Sequence, residues 1–242
     1  KEGCKLQQSD GTAWMALFCL SLMHIGLVLA EKNSVYESLA TKFFEHFIYI
    51  AHAMQKRQDI DYELWSEKDG FFYDVITKPD RSFEKLRVRS IVGLIPLLCA
   101  QPLTDAMLKK HKGFKSNFDW FLKNRLELVE QTIIELSKDG KKTFFLAPMT
   151  HHQMKSILRY VVSEKEFSAP FGLRSLSKIH GDSPYLYAGK KITYEPAESL
   201  EKIKGGNSNW RGPIWLPVNY MLIDALKEYA KVFENRLKVK SF

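Results

Sequence analysis

The stretch from Ala13 to Ala30 is apolar nearly all round, and it constrains the fold more than any other part of the chain. A segment without a polar face has to be surrounded, either by other elements of the protein or by lipid. Spanning a bilayer takes about 20 clean apolar residues. This run carries His24 and follows the polar Asp10-Gly11-Thr12, and it lacks the charged leader and cleavage site of a signal peptide. A buried helix, with no membrane span, is the expectation.

Period and punctuation predict six helices. The first starts at Asp10 or Thr12, either of which suits an N-cap, and runs to about Ala30. The second runs from about Val35 to Met54, with Tyr36, Leu39, Phe43, Phe47 and Ile50 at three- and four-residue steps. The third covers Val92 to Cys99, the fourth Phe114 to Leu126, and the fifth Thr150 to Val162. The sixth starts at Pro213 or Leu216 and reaches Phe233. The first, third and sixth are apolar nearly all round and should be buried, while the second and fourth are amphipathic. Such alternation of inner and outer helices predicts an all-α fold, a toroid or a solenoid. No repeat of fixed period is present, which disfavours the solenoid.

Two connections stand out. Asp69-Gly70 ahead of Phe71-Phe72-Tyr73-Asp74-Val75 reads as a turn into a short extended segment. The chain from Gly181 to Asn209 is rich in Gly, Ser, Pro and Tyr and long for a link without helix, as functional loops often are.

The net charge of +8 comes from 36 Lys+Arg against 28 Asp+Glu, with basic pairs such as Lys109-Lys110 and Lys141-Lys142 as the densest clusters. Nucleic acid requires a clustered basic stripe, so no nucleic-acid partner is expected. Three cysteines without CxxC spacing, two of them (Cys19 and Cys99) in apolar runs, fit core thiols and a reducing, cytoplasmic setting. His151 and His152 are adjacent, diverge by about 100° on a helix and chelate poorly. With no HExxH, P-loop or GxGxxG present, no cofactor or metal is expected. The chain opens on Lys1 instead of Met and closes on an uncapped charged run from Glu234 to Lys240, which predicts a truncated domain.

Residues suited to chemistry precede the apolar helices. Asp10 and Trp14 stand at the first, Arg89 at the third, and Asn209-Trp210-Arg211-Gly212-Pro213-Ile214-Trp215 at the sixth. If those helices lie parallel, their N-terminal ends share one mouth. Aromatic faces there stack on pyranose rings, and amides, carboxylates and guanidiniums pair with vicinal hydroxyls. Asp69 and Arg174 complete the candidate substrate-binding set. Plainer readings are Asp10 as a cap, Trp14, Trp210 and Trp215 as core, Asp69 as a turn residue and Arg211 as a member of a structural ion pair. Arg89 and Arg174 are harder to dismiss, since a buried arginine needs a partner and a carboxylate of the site can supply one.

At these residues the sequence resembles glycoside hydrolase family 63, the family of processing α-glucosidase I. The blocks are Gln8-Ser9-Asp10-Gly11-Thr12-Ala13-Trp14, Ala40-Thr41-Lys42-Phe43-Phe44-Glu45-His46-Phe47 and Leu64-Trp65 with Asp69-Gly70-Phe71-Phe72-Tyr73-Asp74. Val88-Arg89-Ser90, Gly172-Leu173-Arg174-Ser175-Leu176-Ser177 and Asn207-Ser208-Asn209-Trp210-Arg211-Gly212-Pro213 follow in order. The resemblance implies an (α/α)6 toroid, of which residues 1–242 form a single partial barrel domain. It also implies an inverting α-glucosidase acting on an oligosaccharide or small α-glucoside, with two carboxyls roughly 6.5–9.5 Å apart. By that resemblance the general acid lies upstream and the general base downstream of this chain, so no catalytic carboxylate is assigned within it. A half-toroid would expose apolar flanks, and self-association through them is expected. The contrasting reading is a non-catalytic helical binding or scaffold protein.

Overall fold

Asp74 starts the first helix from a distance. Its Oδ1 accepts the Ser9 N–H at 2.8 Å, although the residue lies 65 positions further on. The helix therefore begins at Ser9 behind an uncapped Gln8, and neither Asp10 nor Thr12 is its cap. Among the described residues the Asp10 carboxylate accepts the neighbouring Gly11 N–H at 2.8 Å, and the Thr12 hydroxyl donates to the Gln8 carbonyl at 2.8 Å.

The computed structural model describes residues 3–55, 62–197, 208–234 and 239. The first half runs β1 (Lys5–Gln7), α1 (Ser9–Ala30), α2 (Tyr36–Met54), β2 (Trp65–Ser66), β3 (Phe71–Phe72), β4 (Asp74–Thr77) and β5 (Phe83–Leu86). A 3-10 segment over Ile91–Leu98 leads into β6 (Gln101–Thr104), α3 (Asp105–Lys110), α4 (Lys112–Asn124) and α5 (Leu126–Val129). Then come β7 (Ile133–Lys138), β8 (Lys141–Leu146), α6 (His151–Val161), β9 (Ser168–Ala169), β10 (Gly172–Leu173) and α7 (Ile179–Asp182). The chain continues with β11 (Tyr185–Tyr187), β12 (Lys190–Ile192), a 3-10 turn over Ser208–Arg211 and α8 (Leu216–Phe233).

The expectation of an all-α (α/α)6 toroid is overturned. About 50% of the described residues are helical, 21% are strand, and no toroid is formed among them. The strands make five antiparallel sheets: β1-β4-β5, β6-β8-β7, β2-β3, β9-β10 and β11-β12. Turn chemistry explains the sheets that helical periodicity conceals. Asp139 (φ 49°) and Gly140 (φ 72°) link β7 to β8, and Ala188 (φ 49°) and Gly189 (φ 76°) link β11 to β12. Positive φ at both central residues of a two-residue loop is the I′ geometry, whose twist matches that of the strands it joins.

Two large apolar cores meet along α1. One packs Phe71, Phe72 and Tyr73 with the 3-10 segment, α6 and α8. The other packs the inner faces of α1 and α2 against Phe114, Phe118 and Phe121 of α4. The two long helices approach closely because Gly26 lies against Ala40, where an added Cβ would sit 3.1 Å from the alanine Cβ. The expected third helix is a 3-10 segment, buried throughout. Pro96 supplies no N–H and disfavours α geometry just before it, so the bonds run three residues back, as from Gly93 N–H to the Ser90 carbonyl at 3.1 Å.

All-round burial of the first and sixth helices is corrected as well. On α1, Met15, Phe18, Leu22, Ile25 and Leu29 form an exposed stripe, and on α8 Leu216, Tyr220 and Ile223 are exposed. Among the described residues α1 is the one helix long and apolar enough to cross a membrane by length and composition, and Ala13, Ala16, Leu20, Met23 and Leu27 on its other face are core.

Gly93 sits where the 3-10 segment meets the β2–β3 hairpin. A Cβ there would lie 2.2 Å from the Phe71 ring and 2.4 Å from the Phe72 carbonyl. Gly93→Ala is expected to destabilise the protein by about 3 kcal/mol, the upper range for overpacking. Urea unfolding checks this, and a loss below about 1 kcal/mol would mean that the contact relaxes.

Candidate functional site

The chain leaves β5 through two tight three-residue turns. Val88 N–H reaches the Leu86 carbonyl at 2.7 Å and Ser90 N–H reaches the Val88 carbonyl at 2.9 Å, which centres one turn on Arg87 and the next on Arg89. The turns separate odd from even positions. Leu86, Val88 and Ser90 line a cleft of about 260 Å³ with Tyr73, Tyr185 and Tyr187. Arg87 and Arg89 instead engage the acidic groups of a separate cluster.

That cluster has two guanidinium–carboxylate pairs. Arg87 pairs with Asp69, whose Oδ2 also accepts the Ser66 hydroxyl at 3.2 Å. Arg89 pairs with Glu166 and lies 5.2 Å over the Tyr160 ring. The second Glu166 oxygen accepts the Ser177 hydroxyl, and the Tyr160 hydroxyl donates to the Asp69 carbonyl. Burial pushes the Tyr160 and Tyr73 phenols up from their ordinary range, most strongly for Tyr73, where a hydrogen bond with Arg89 acts the other way. Burial opposes the Arg89 charge too, but Glu166 and Tyr73 outweigh it and hold its pKa above the usual arginine value. Arg89 stays charged in a half-buried place.

The backbone around this cluster is a ladder of three irregular segments. Ile91 N–H donates to the Ser175 carbonyl and Ser177 N–H to the Arg89 carbonyl, both at 2.8 Å, around a Ser90–Leu176 bridge. On the other side Ser175 N–H donates to the Pro213 carbonyl at 3.0 Å, beside an Arg174–Ile214 bridge. The segments around Arg89, Arg174 and Arg211, far apart in sequence, therefore lie side by side.

Asp69 and Arg89 fall in the charged cluster itself. Arg174 lies on the ladder, donating to the Tyr194 hydroxyl at 3.1 Å and to the Ser168 carbonyl. Arg211 is fully buried, with its carbonyl accepting the Glu195 N–H at 2.7 Å. Trp210 and Trp215 meet edge to face at 4.5 Å and are partly buried against the first core, as is Trp14, which also stacks on Phe18 at 6.2 Å. Asp10 stays at the start of α1, bonded to Gly11 N–H. The Asn209 side chain lies outside the described residues.

Sequence reasoning missed Glu166, Tyr160, Tyr73 and Arg87. Glu164-Lys165-Glu166 looks like solvated charge, yet Glu166 is 5% exposed. The one available signal was indirect: an arginine ahead of an apolar run requires a carboxylate partner. It also missed His180, whose Nε2 accepts the Arg89 N–H at 2.9 Å while Nδ1 faces the Ser183 carbonyl at 3.2 Å, so the proton resides on Nδ1.

With Arg174 and the tryptophan–arginine segment on one ladder, the comparison with known proteins falls on the same stretch. Residues 143–241 match the glycosyl hydrolase family 63 C-terminal domain. The resemblance read from the sequence is thus supported over the part that supplies Glu166, Arg174, Arg211 and both tryptophans. The uncharacterized protein YMR196W of Saccharomyces cerevisiae is 39% identical over 254 aligned residues, covering 98% of this chain and 23% of that protein. A probable mannosyl-oligosaccharide glucosidase of Schizosaccharomyces pombe is 30% identical over 81 residues, 34% of this chain and 8% of that protein. The chain thus spans less than a quarter of the length of each of these relatives.

Replacing Glu166 by Gln removes the Arg89 counter-charge and leaves Arg89 half-buried. A loss of about 2 kcal/mol is expected, below the 3–5 kcal/mol of a fully buried pair because Arg89 keeps some solvent. Denaturant unfolding of Glu166→Gln and Glu166→Asp checks this, and an unchanged midpoint for both would show that the pair contributes nothing.

Proposed function

We propose that this chain forms part of the sugar-holding wall of an inverting glycoside hydrolase acting on α-linked glucosides. One observation carries the reading. The ladder sets the Arg89 segment beside two segments of the stretch that matches the glycosyl hydrolase domain, those of Arg174 and of the Trp210–Trp215 pair.

The roles follow from what each side chain already touches. Arg89 and Arg87 present planar donors to vicinal hydroxyls, with Asp69 and Glu166 keeping them oriented. Trp210 or Trp215 supplies a stacking face. Arg211, fully buried, is a positioning residue and fixes the backbone beneath the tryptophans. Asp10, Trp14, Arg174 and Asn209 remain members of the proposed wall, Arg174 through its hold on Tyr194. Both Glu166 oxygens accept hydrogen bonds from protein groups, which suits a positioning carboxylate better than a proton donor or a base for water. The reacting carboxylates are accordingly sought outside these residues, as the family resemblance implies.

The test uses the full-length protein, with an α-linked glucosyl disaccharide as substrate. Arg89→Lys keeps the charge and loses the planar fork. We expect kcat/KM to fall by about a hundredfold or more, equivalent to roughly 3 kcal/mol of transition-state stabilisation. Melting of the same variant is measured alongside, and near-normal kinetics in a destabilised protein would remove Arg89 from the site. NMR of the first-formed anomer reads the stereochemistry, and retention would sink the inverting mechanism.

A further inference from the structure

The stretch from Ser177 to His180 holds Arg89 in three ways. The Arg89 N–H donates to His180 Nε2 at 2.9 Å, and the Arg89 carbonyl accepts the Ser177 N–H at 2.8 Å. The guanidinium pairs with Glu166, whose other oxygen takes the Ser177 hydroxyl. The stretch also fixes its own shape. His180 N–H returns to the Ser177 carbonyl and Ile179 N–H to the Ser177 hydroxyl, both at 3.2 Å. From the far side the Thr193 hydroxyl, just past β12, donates to the His180 carbonyl at 3.1 Å.

The turn leaves one donor over, and the histidine meets it. The turn centred on Arg89 uses the Val88 carbonyl and the Ser90 N–H, so the Arg89 N–H lies outside it and requires an acceptor. An imidazole nitrogen accepts only while it is unprotonated. With Nδ1 facing the Ser183 carbonyl at 3.2 Å, the neutral ring carrying its proton on Nδ1 matches both neighbours. A proton added to the Nε2 lone pair makes that nitrogen a donor, set 2.9 Å from another donor. Either the ring then turns away or the Arg89 peptide moves. His180 is 5% exposed, so water is poorly placed to take over the orphaned N–H.

The charges around the ring give an imidazolium little support. Lys178 and Asp182 flank the histidine and are both exposed. Across the ladder Glu166 is matched by Arg89, and Asp69 by Arg87. On the β11–β12 side Lys190 and Lys191 are exposed, Tyr194 accepts from Arg174, and burial and Glu84 push the Tyr185 phenol up, so it stays neutral. We propose that neutral His180 is a positioning residue for Arg89, and that its protonation below about pH 6.5 loosens the turn and disables the sugar-holding wall. The inference rests on the sugar-holding role proposed for Arg89 and adds the regulation of that site.

The experiment has two arms, each run from about pH 8 down to about pH 5. One follows the imidazole nitrogens of His180 and the Arg89 amide by NMR in the 242-residue chain. The ring is expected to carry its proton on Nδ1 at the upper end, and the Arg89 amide to titrate together with it. The other arm measures kcat/KM of the full-length protein on the α-linked glucosyl disaccharide. His180→Ala should lower it about tenfold across the range. His180→Gln, whose carboxamide oxygen accepts the Arg89 N–H without titrating, should recover most of that loss and move the acid limb down by about one pH unit or more. A merely structural histidine would yield variants that melt early and keep the wild-type limb, which overturns the inference. A proton on Nε2 at the upper end, a ring still neutral at the lower end, or a ring that titrates without the Arg89 amide overturns it as well. If Arg89→Lys leaves the kinetics near normal, the wall reading falls, and the coupled titration in the chain still decides whether His180 positions Arg89. Should His180→Gln fail to fold, the spectrum of the unaltered chain decides alone.

Discussion

A carboxylate with 5% of its surface exposed is the constraint on which the rest of the site depends. Burying an ionised group costs several kcal/mol unless its lone pairs are filled, and Glu166 fills its own from two directions, Arg89 and Ser177. Its backbone joins in, since the Glu166 carbonyl accepts the Lys178 N–H at 3.0 Å. One residue after α6 thereby ties down the turns that carry Arg87 and Arg89 and the segment that follows Arg174. Without that counter-charge, Arg89 would have no reason to lie over Tyr160, and the separation of odd from even residues along 86–90 would lose its anchor.

That separation makes a single short segment serve two surfaces. Arginines cannot share an apolar cleft with Val88 and Tyr185 at tolerable desolvation cost, so the tight turns place them with carboxylates. The apolar cleft is left to Tyr185 and Tyr187, whose rings run nearly parallel at 6° with centroids 6.5 Å apart. The small β11–β12 sheet that carries them holds Ile192 against Val88 and Leu176 in a core of its own.

The helices were legible because their period is carried by large apolar residues: α2 and α6 begin and end within one or two residues of the positions that pattern and capping predict. At α6 the Thr150–Gln153 capping box supplies the reason. The overall architecture was not legible. Alternating apolar and amphipathic helices fit a ring, but the same apolar surface is covered here by strands whose turns hinge on positive φ at Asp139 and Ala188. Only the Asp139-Gly140 pair carries a sequence signal for this, since alanine rarely marks a left-handed position. Within the site, arginines and tryptophans announced themselves, whereas Glu166 and Tyr160 did not. An acidic residue beside a lysine, and an aromatic on a helix, have the same appearance in sequence whether they face solvent or an ion pair.

The tryptophan–arginine segment shows how a conspicuous motif divides between holding and touching. Gly212 has φ +134°, and a Cβ on it would lie 2.3 Å from the Tyr194 ring, so only glycine lets that ring rest on the backbone. Tyr194 in turn accepts the Arg174 Nε–H at 3.1 Å, and Gly212 N–H donates to the Ser175 hydroxyl at 3.0 Å. Arg211 faces inward from the residue before, and Pro213 gives its carbonyl to Ser175. Arginine, glycine and proline are thus consumed by the mechanics of joining the third segment to the ladder. The tryptophans on either side are packed edge to face, which occupies the edge of one ring and a face of the other and leaves them partly exposed. Of the whole motif, a ligand can gain most from these rings, since they combine a fixed orientation with aromatic surface still open to solvent.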